Sequence, residues 1–587
     1  MSREQATLTR TPNPHREFIN QVRRGILRRM RFQRTLILFV LLMICARLVT
    51  IQAFSDPDQF VQYSKAGVNS VAIPAVRGTI TDRNGVLLAV TVDSRNVFAD
   101  QTLVTDPKGE AIKLANLLGL DAAYLAERLS GDRRFVYLAK DISPQLWSRI
   151  EELALPGIYS ERSQARSYPE GSLAGNILGF VNADGVGSGG IELSLNEVLA
   201  GTDGERIYSG GSSSNTSDQK IIAAVDGQNV QLTIDRDIQW LAQEAIAAKV
   251  KESGAESGTV IVLNSKTGEI LAMATAPTFD PNNYSKALER NRGNRALTDA
   301  YEPGSTGKIM TIAAVLEEGV LQANSKITVP GSLQRYDKKF KDHNDHGTLK
   351  LTLTGVLAKS SNIGTILASE QISQKKLFKY FSSFGIGSES GLNFPGESNG
   401  FIPQPSDWSG TTGPTLAFGQ GYSMNALQAA GIFATVANDG MRMTPNLVSG
   451  TTAVDGTYTS VTQAQGSRVV SAQTATTLRK MLESVVSDEG TAPMARIPGY
   501  RIAGKTGTAQ LSDPSCGCYR GYVASFVGMA PADNPELVVA VSLVKPTKGH
   551  YGGILAGPVF KKVMNFALQQ LRIPPTGAKS PKMKLTW

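Results

Sequence analysis

Three short strings of small and polar residues constrain the fold of this chain more than any other feature. They are Ser-Thr-Gly-Lys at 305–308, Ser-Ser-Asn at 360–362 and Lys-Thr-Gly-Thr at 505–508. Together they offer a nucleophile, a base, a proton relay and an anchor for a carboxylate. Because the strings are far apart in sequence, a fold that uses them together must bring all three to one place.

A helical pattern follows the string at 305–308. The apolar residues with spacing i, i+3, i+4 and i+7 are Ile309, Ile312, Ala313 and Leu316, and Gly319 ends the pattern. Ser305 then lies in the first turn, with Lys308 on the same face. Lys308 can act as a base for Ser305 only if burial or a cationic neighbour such as Lys505 lowers its pKa. Taken alone, the string also fits an N-capping serine followed by a solvated lysine.

The string at 360–362 interrupts a segment, 352–369, whose pattern is otherwise helical. A hydroxyl at Ser360 can pass a proton between a base and a leaving group. Asn362 offers both a donor and an acceptor to a substrate amide. Taken alone, such a string is more often a helix break.

The string at 505–508 ends a predicted strand at 500–504. Gly507 permits a close approach of another backbone, so the strand edge can pair with an extended peptide. The lysine and threonine side chains of the string can then hold a carboxylate. The simpler alternative is a strand end with polar surface residues.

Two kinds of nucleotide binding are excluded. A phosphate-binding loop needs glycine five residues before the Gly-Lys pair and Ser or Thr after it, but Glu302 and Ile309 occupy those positions. The formal net charge of +9 suggests a nucleic-acid partner, yet nine arginines and only two glutamates lie within residues 1–34. Most of the charge is therefore in a tail, and we expect no nucleic-acid partner.

An apolar segment, 35–54, follows this basic tail and is interrupted only by Arg47. Its length of about 20 residues is enough to span a bilayer. A cleaved signal peptide, a lipoprotein signal at Cys45 and a buried helix are alternatives, but the long basic tail favours an uncleaved anchor. By the positive-inside rule, tail 1–34 is cytoplasmic and residues 55–587 lie outside the cell membrane.

Two folded modules are predicted after the anchor. Short alternating stretches and helical patterns predict an α+β module at 55–222. Strands, helices and late strands at 223–572 predict an α/β (α+β) domain with helices flanking an antiparallel sheet. Residues 573–587 are predicted to form a disordered C-terminal tail.

The three strings lie in one predicted domain, each in the secondary structure that its role needs, and the combination resembles penicillin-binding transpeptidases and serine β-lactamases. Further strings resemble class B penicillin-binding proteins, in particular their septal cell-division branch. These strings lie at 77–85, 168–171, 190–192, 267–274, 279–282, 294–296, 419–421 and 551–560. The resemblance implies a serine transpeptidase/β-lactamase-like domain, preceded by an N-terminal pedestal module of dimerisation type and a single transmembrane helix.

The resemblance also implies catalytic roles. Ser305 attacks the carbonyl of a D-Ala-D-Ala stem peptide and becomes acylated, with Lys308 as the base. Ser360 relays the proton, and Asn362 donates to the substrate amide. An amine from a neighbouring stem peptide then resolves the acyl-enzyme as a cross-link.

Substrate binding is assigned by the same resemblance to the third string. Lys505, Thr506, Gly507 and Thr508 hold the terminal carboxylate of the donor peptide or of a β-lactam. The backbone N–H groups of Ser305 and Thr508 form an oxyanion hole.

The family context implies partners and a location. The expected ligands are peptidoglycan stem peptides, lipid-linked nascent glycan and β-lactam antibiotics, and no cofactor or metal is expected. Other expected partners are the membrane, a SEDS-type glycosyltransferase and further division proteins at the septum.

Two other functions stay open on the sequence alone. A D,D-carboxypeptidase or β-lactamase delivers the acyl group to water, but such hydrolases do not need the large N-terminal module. A non-catalytic β-lactam sensor or division scaffold is the other, although all the catalytic residue types are present.

Two side signals concern metal or redox chemistry. Cys516 and Cys518 fit free thiols, a disulfide or part of a metal site, and the pair resembles cysteine pairs in actinobacterial relatives. His343 and His346 are predicted as polar residues at the rim of the site rather than as metal ligands.

Overall fold

The chain divides into two units in the computed structural model, which describes Met30 and residues 32–50, 68–209, 219–462, 465–513 and 515–587. One unit comprises Met1–Pro74 and Asp203–Ala224, and the other comprises Ala75–Thr202 and Val225–Trp587. Most of the predicted tail 1–34, and residues 51–54 of the predicted anchor, lie outside the described residues.

The strands are numbered in chain order. They are β1 (Val68–Ile73), β2 (Ile80–Thr81), β3 (Leu87–Ala99), β4 (Val136–Ile142), β5 (Ile158–Ser167), β6 (Gly204–Ser209), β7 (Gln219–Ile222), β8 (Asn229–Leu232), β9 (Ser257–Asn264), β10 (Ile270–Ala276), β11 (Lys326–Val329), β12 (Leu333–Arg335), β13 (Lys338–Phe340), β14 (Leu349–Thr352), β15 (Met441–Arg442), β16 (Val448–Thr452), β17 (Tyr458–Ser460), β18 (Ser467–Arg468), β19 (Ala503–Asp513), β20 (Cys518–Ala530) and β21 (Leu537–Val544).

The α-helices are numbered in the same way. They are α1 (Phe32–Thr50), α2 (Pro107–Leu118), α3 (Ala122–Leu129), α4 (Pro144–Glu151), α5 (Gly175–Leu178), α6 (Gly190–Ser194), α7 (Asn196–Ala200), α8 (Arg236–Ser253), α9 (Arg295–Thr298), α10 (Lys308–Glu317), α11 (Leu353–Lys359), α12 (Asn362–Ser369), α13 (Gln374–Ser383), α14 (Thr412–Ala417), α15 (Ala426–Ala437), α16 (Ala472–Glu483) and α17 (Gly552–Gln570).

The first unit holds α1 and a small antiparallel sheet in which β6 pairs with both β1 and β7. Among the described residues, α1 is the one helix long and apolar enough to cross a membrane. Its bounds overlap the predicted anchor at 35–54. Residues 35–50 of the apolar segment therefore lie in a helix of membrane-spanning length.

The N-terminal part of the second unit is an α+β layer. Strand β3 pairs with both β4 and β5, and helices α2, α3 and α4 contribute to an apolar core with these strands. Helix α2 begins where the Asp106 side chain accepts a hydrogen bond from the Gly109 N–H, and it ends at Gly119 in a left-handed conformation. This agrees with the mixed module that the sequence predicts here.

The C-terminal part of the second unit is built on a five-stranded antiparallel sheet with the order β10-β9-β21-β20-β19. Helices α8 and α17 contact one another as well as the sheet, and α15 also packs on it. Strand β10 is buried at every position, and β21 at all but its last residue, because helices cover the sheet. Strand β19 is an edge strand, and it carries the third string.

The C-terminal tail corrects one prediction. Residues 573–587 were expected to be disordered, but Tyr500 donates a hydrogen bond to the Ile573 carbonyl, and Thr586 forms a bridge with Leu351 of β14. The Trp587 ring lies beside the Lys350 ammonium. The composition of this segment favours disorder, but composition does not show that the end of the chain pairs with the edge of β14.

Candidate active site

Ser305 lies in a single 3-10 turn, Gly304–Thr306, directly before α10. The Thr306 hydroxyl donates to the Pro303 carbonyl over 2.8 Å and closes this turn. Ser305 is partly exposed, whereas Lys308, the first residue of α10, is fully buried. The sequence predicted Ser305 within the helix, and the structure places it one turn earlier.

The segment at 419–421 supports this turn. The Gly304 N–H donates to the Gly419 carbonyl over 2.8 Å, and the Gly421 N–H donates to a carboxylate oxygen of Glu302 over 3.0 Å. Burial raises the pKa of Glu302. Sequence reasoning named the glycines only as part of a resemblance and gave Glu302 no role at the site.

Ser360 lies between α11 and α12 with a φ of +62°, a conformation that breaks the helix. Its hydroxyl donates to the Ser305 hydroxyl over 2.9 Å. The Lys308 amine donates to the Ser360 carbonyl over 2.5 Å and lies 3.4 Å from its hydroxyl. The predicted helix break therefore brings the first two strings together.

The third string approaches from the edge strand β19. The Lys505 amine donates to the Ser360 hydroxyl over 2.9 Å and to the Thr506 carbonyl over 3.2 Å. A Cβ atom at Gly507 would lie 2.3 Å from the Ser525 hydroxyl and 3.0 Å from the Pro303 carbonyl. Glycine is therefore required for β19 to lie against the turn that carries Ser305.

Lys308 and Lys505 are both 0% exposed and share Ser360 as a hydrogen-bond partner. Burial lowers the pKa of Lys308 to about 7, against a smaller opposing effect of Asp342. Burial and then the charge of Lys308 lower the pKa of Lys505 well below its ordinary value. Burial thus favours the neutral form of both amines, and a neutral amine can accept a proton.

The remaining predicted residues surround this centre. The Asn362 amide donates to the Lys341 carbonyl over 3.1 Å, and the Thr506 and Thr491 hydroxyls are 3.0 Å apart. The Thr508 hydroxyl accepts from the Gly552 N–H over 3.2 Å. All three predicted strings thus meet at one site.

Asp342 is a neighbour that sequence reasoning missed. Its carboxylate accepts hydrogen bonds from the Ser361 hydroxyl over 2.6 Å and from the Ile363 N–H over 2.9 Å. The sequence pattern of this loop indicates a possible role only for its histidines. A single sequence carries no periodic signal for such a contact between a loop and a turn.

The histidines and cysteines have other partners. His343 Nε2 is 3.0 Å from the hydroxyl of Tyr551. Tyr551 directly precedes Gly552, whose N–H contacts Thr508 of the third string. Within the described residues, no group of three or more His, Cys, Asp or Glu side chains could hold a metal ion. Cys516, in the turn after β19, forms a disulfide with Cys518, the first residue of β20, which is one of the three alternatives left open by the sequence.

Comparison with known proteins assigns both modules. Residues 258–565 match the penicillin binding protein transpeptidase domain, and residues 72–232 match the penicillin-binding protein dimerisation domain. The chain belongs to the class B penicillin-binding proteins. The three strings of this penicillin-binding protein all lie within the matched transpeptidase domain.

Individual relatives cover nearly the whole chain. Penicillin-binding protein PbpB of Mycolicibacterium smegmatis is 38% identical over 87% of this chain and 85% of its own length. Peptidoglycan D,D-transpeptidase FtsI of Escherichia coli is 34% identical over 92% of this chain and 91% of its own length. The crystal structure of penicillin binding protein 3 of Mycobacterium tuberculosis with aztreonam has a TM-score of 0.70 and 35% identity, and covers 88% of this chain and 100% of that chain.

Proposed function

We propose that this penicillin-binding protein is a serine D,D-transpeptidase that cross-links peptidoglycan stem peptides during cell division. The observation that carries the proposal is the hydrogen-bonded path from Lys505 through Ser360 to Ser305, beside the buried amine of Lys308. The names of relatives aligned over most of the chain support the same reaction. The resemblance to the septal branch of the family supports the role in division.

Acylation begins at Ser305. Neutral Lys308 accepts the hydroxyl proton as the oxygen attacks the carbonyl of the penultimate D-Ala, and a tetrahedral oxyanion forms. The ammonium returns that proton through the Ser360 hydroxyl to the nitrogen of the terminal D-Ala. The C–N bond then breaks, free D-Ala leaves, and an ester to Ser305 remains.

Residues of the third string bind the donor peptide. Lys505 and the hydroxyls of Thr506 and Thr508 hold the terminal carboxylate, while the edge of β19 pairs with the extended peptide. The N–H groups of Ser305 and Thr508 stabilise the oxyanion, which is worth roughly 3 to 4 kcal/mol per donor in acyl-transfer enzymes. The Asn362 amide turns from the Lys341 carbonyl to the substrate amide.

Deacylation is the reverse transfer with a new amine. The amino group of a neighbouring stem peptide attacks the ester carbonyl and gives up a proton to Lys308 through Ser360. The ester bond breaks, the proton returns to the Ser305 oxygen, and the product is an amide cross-link. A β-lactam opens its ring on Ser305 in the same first step, and its amine stays tethered, so the adduct persists.

The N-terminal helix and charge pattern support a location at the cell membrane. Helix α1 is long enough to span it, and the nine arginines within residues 1–34 favour a cytoplasmic N-terminus. The active site then faces the cell wall. A SEDS-type glycosyltransferase that supplies lipid-linked nascent glycan, and other division proteins, are the proposed partners.

Labelling with a fluorescent penicillin tests the proposal. Wild-type protein and Ser388→Ala, which changes an exposed serine, should label equally, whereas Ser305→Ala should not label. Unchanged labelling of Ser305→Ala would refute the assignment.

Two further measurements separate the alternative functions. An adduct that hydrolyses within seconds would favour a D,D-carboxypeptidase or β-lactamase over a transpeptidase. Growth and septation of a depletion strain that carries only Ser305→Ala would show a structural role instead.

A further inference from the structure

One carboxylate holds the turn that carries the proposed proton relay. Both oxygens of Asp342 are used, one by the Ser361 hydroxyl over 2.6 Å and the other by the Ile363 N–H over 2.9 Å. The adjacent Lys341 carbonyl accepts from Asn362 over 3.1 Å. Three consecutive residues of the turn are therefore bonded to two consecutive residues of one loop.

His346 fixes this carboxylate from the other side. Its Nε2 is 3.0 Å from Asp342 Oδ2, and its Nδ1 is 2.5 Å from the Gly347 carbonyl. A carboxylate and a carbonyl only accept hydrogen bonds, so the imidazolium satisfies both contacts, whereas a neutral tautomer satisfies one. The hydrogen bond to Gly347, followed by the contact with Asp342, raises the pKa of His346.

The imidazolium has a clear physical effect on its partner. The Asp342 side chain is only 10% exposed, and a buried carboxylate charge is unfavourable without a counter-charge. The ion pair with His346 supplies one. Both Asp342 oxygens accept hydrogen bonds from the turn, and Oδ2 also contacts His346.

Asp342 also acts on the base. Its negative charge favours the ammonium form of Lys308 and so opposes the effect of burial on the pKa of that lysine. The charged groups around this assembly are Lys308, Lys505, Lys341, Asp345 and His346. Lys341 pairs with Asp345 at the exposed side of the loop, which leaves His346 as the ion-pair partner of Asp342.

We propose that Asp342, held by the His346 imidazolium, is a positioning residue for acylation. It keeps the turn at 360–362 in the conformation that directs the Ser360 hydroxyl to Ser305, and its charge keeps Lys308 more basic than burial alone would. The inference rests on the proposed function, because it assumes that Ser305 is the acylated residue.

The test is the pH profile of acylation by a fluorescent penicillin, measured on the full chain in detergent. The acid limb of this profile reports deprotonation of Lys308. Asp342→Asn keeps a hydrogen-bond acceptor but removes the charge, so the pKa of Lys308 falls and the limb moves to lower pH, by the order of one pH unit. Asp345→Asn removes a charge from the same loop at its exposed side and should leave the limb unchanged.

A second variant measures the positioning effect. Asp342→Ala removes the acceptors of the Ser361 and Ile363 hydrogen bonds, so the plateau rate should fall roughly 10- to 100-fold. Asp342→Asn should lower the plateau much less.

The outcomes are distinguishable. If the pH profile of acylation by Asp342→Asn superimposes on that of the wild type, the inference is overturned. This outcome can be read even if Asp342→Ala fails to fold. A lower plateau with an unmoved limb would reduce Asp342 to a structural residue and would also overturn it. If Ser305→Ala still labels, the proposed function itself is wrong.

Discussion

Two clusters of buried ionisable side chains in the second unit differ in their hydrogen-bond partners, which are oppositely charged in one cluster and neutral in the other. In the N-terminal module, the carboxylate of Glu192 is 2.7 Å from Arg77 Nε and 2.7 Å from Arg166 Nε, and the Glu192 side chain is 0% exposed. In the transpeptidase domain, Lys308 and Lys505 are equally buried, but both donate to the neutral groups of Ser360.

The difference shows what burial does to a charge. A buried charge that meets an opposite charge with good hydrogen-bond geometry links distant segments, and removing one partner is strongly destabilising. A buried amine whose hydrogen-bond partners are all neutral loses its proton more easily. We therefore expect the first cluster to contribute to stability, and we propose that the second transfers protons.

The largest expected effect comes from a substitution in the second cluster that keeps a basic side chain. Lys308→Arg introduces a group that cannot be deprotonated, so the rate of acylation by a fluorescent penicillin should fall by about a thousandfold. Lys286→Arg, at an exposed lysine, is the matched control and should leave the rate unchanged. More than a tenth of the wild-type rate in Lys308→Arg would mean that Lys308 is not the base.

The next effect breaks the first cluster. Glu192→Gln leaves two guanidinium groups without a carboxylate, and the free energy of unfolding should fall by about 3 kcal/mol. The labelling rate of the folded protein should change less than twofold, because Glu192 takes no part in the chemistry. Chemical unfolding followed by circular dichroism, together with labelling, measures both. A large loss of rate at unchanged stability would reverse the roles of the two clusters.

A smaller effect is the dependence of stability on pH. Lys308 binds a proton below about pH 7 in the folded protein, whereas an unfolded lysine does so below roughly 10.4. Between these values only the unfolded chain is protonated, so this lysine makes stability rise with pH, by at most about 1.4 kcal/mol per pH unit. Melting temperatures measured from pH 6 to 9 should show a steeper rise for wild type than for Lys308→Met. Equal slopes would contradict the lowered pKa.

The smallest expected effect lies outside both clusters. Removal of residues 584–587 deletes the hydrogen bonds from Thr352 to the Lys584 and Leu585 carbonyls at a partly exposed edge. Stability should fall by about 1 to 2 kcal/mol, and the labelling rate should change less than twofold. A loss of labelling rate as large as that of Lys308→Arg would show that catalysis also depends on the C-terminal residues.

The sequence predicted the parts of the site that local patterns control. The spacing after Ser305 predicted the helix that begins at Lys308, and the late apolar strands predicted the antiparallel sheet whose edge carries Lys505. Both patterns follow from periodic burial, which a single sequence displays.

Long-range contacts were not predictable in this way. The strings at 77–85 and 190–192 were recognised, but the ion pair between Arg77 and Glu192 was not. The same holds for Asp342 and for the return of Trp587 to β14. Each depends on which surfaces meet after folding, and neither periodicity nor composition carries that information.

We propose above all that burial makes Lys308 a base near neutral pH. The most direct measurement is the pH dependence of the second-order rate constant for acylation of wild-type protein. We expect the rate to rise with pH through an apparent pKa of about 7 and then to level off. A rate that does not depend on pH between 6 and 9, or one that rises only near roughly 10.4, the ordinary pKa of lysine, would contradict it.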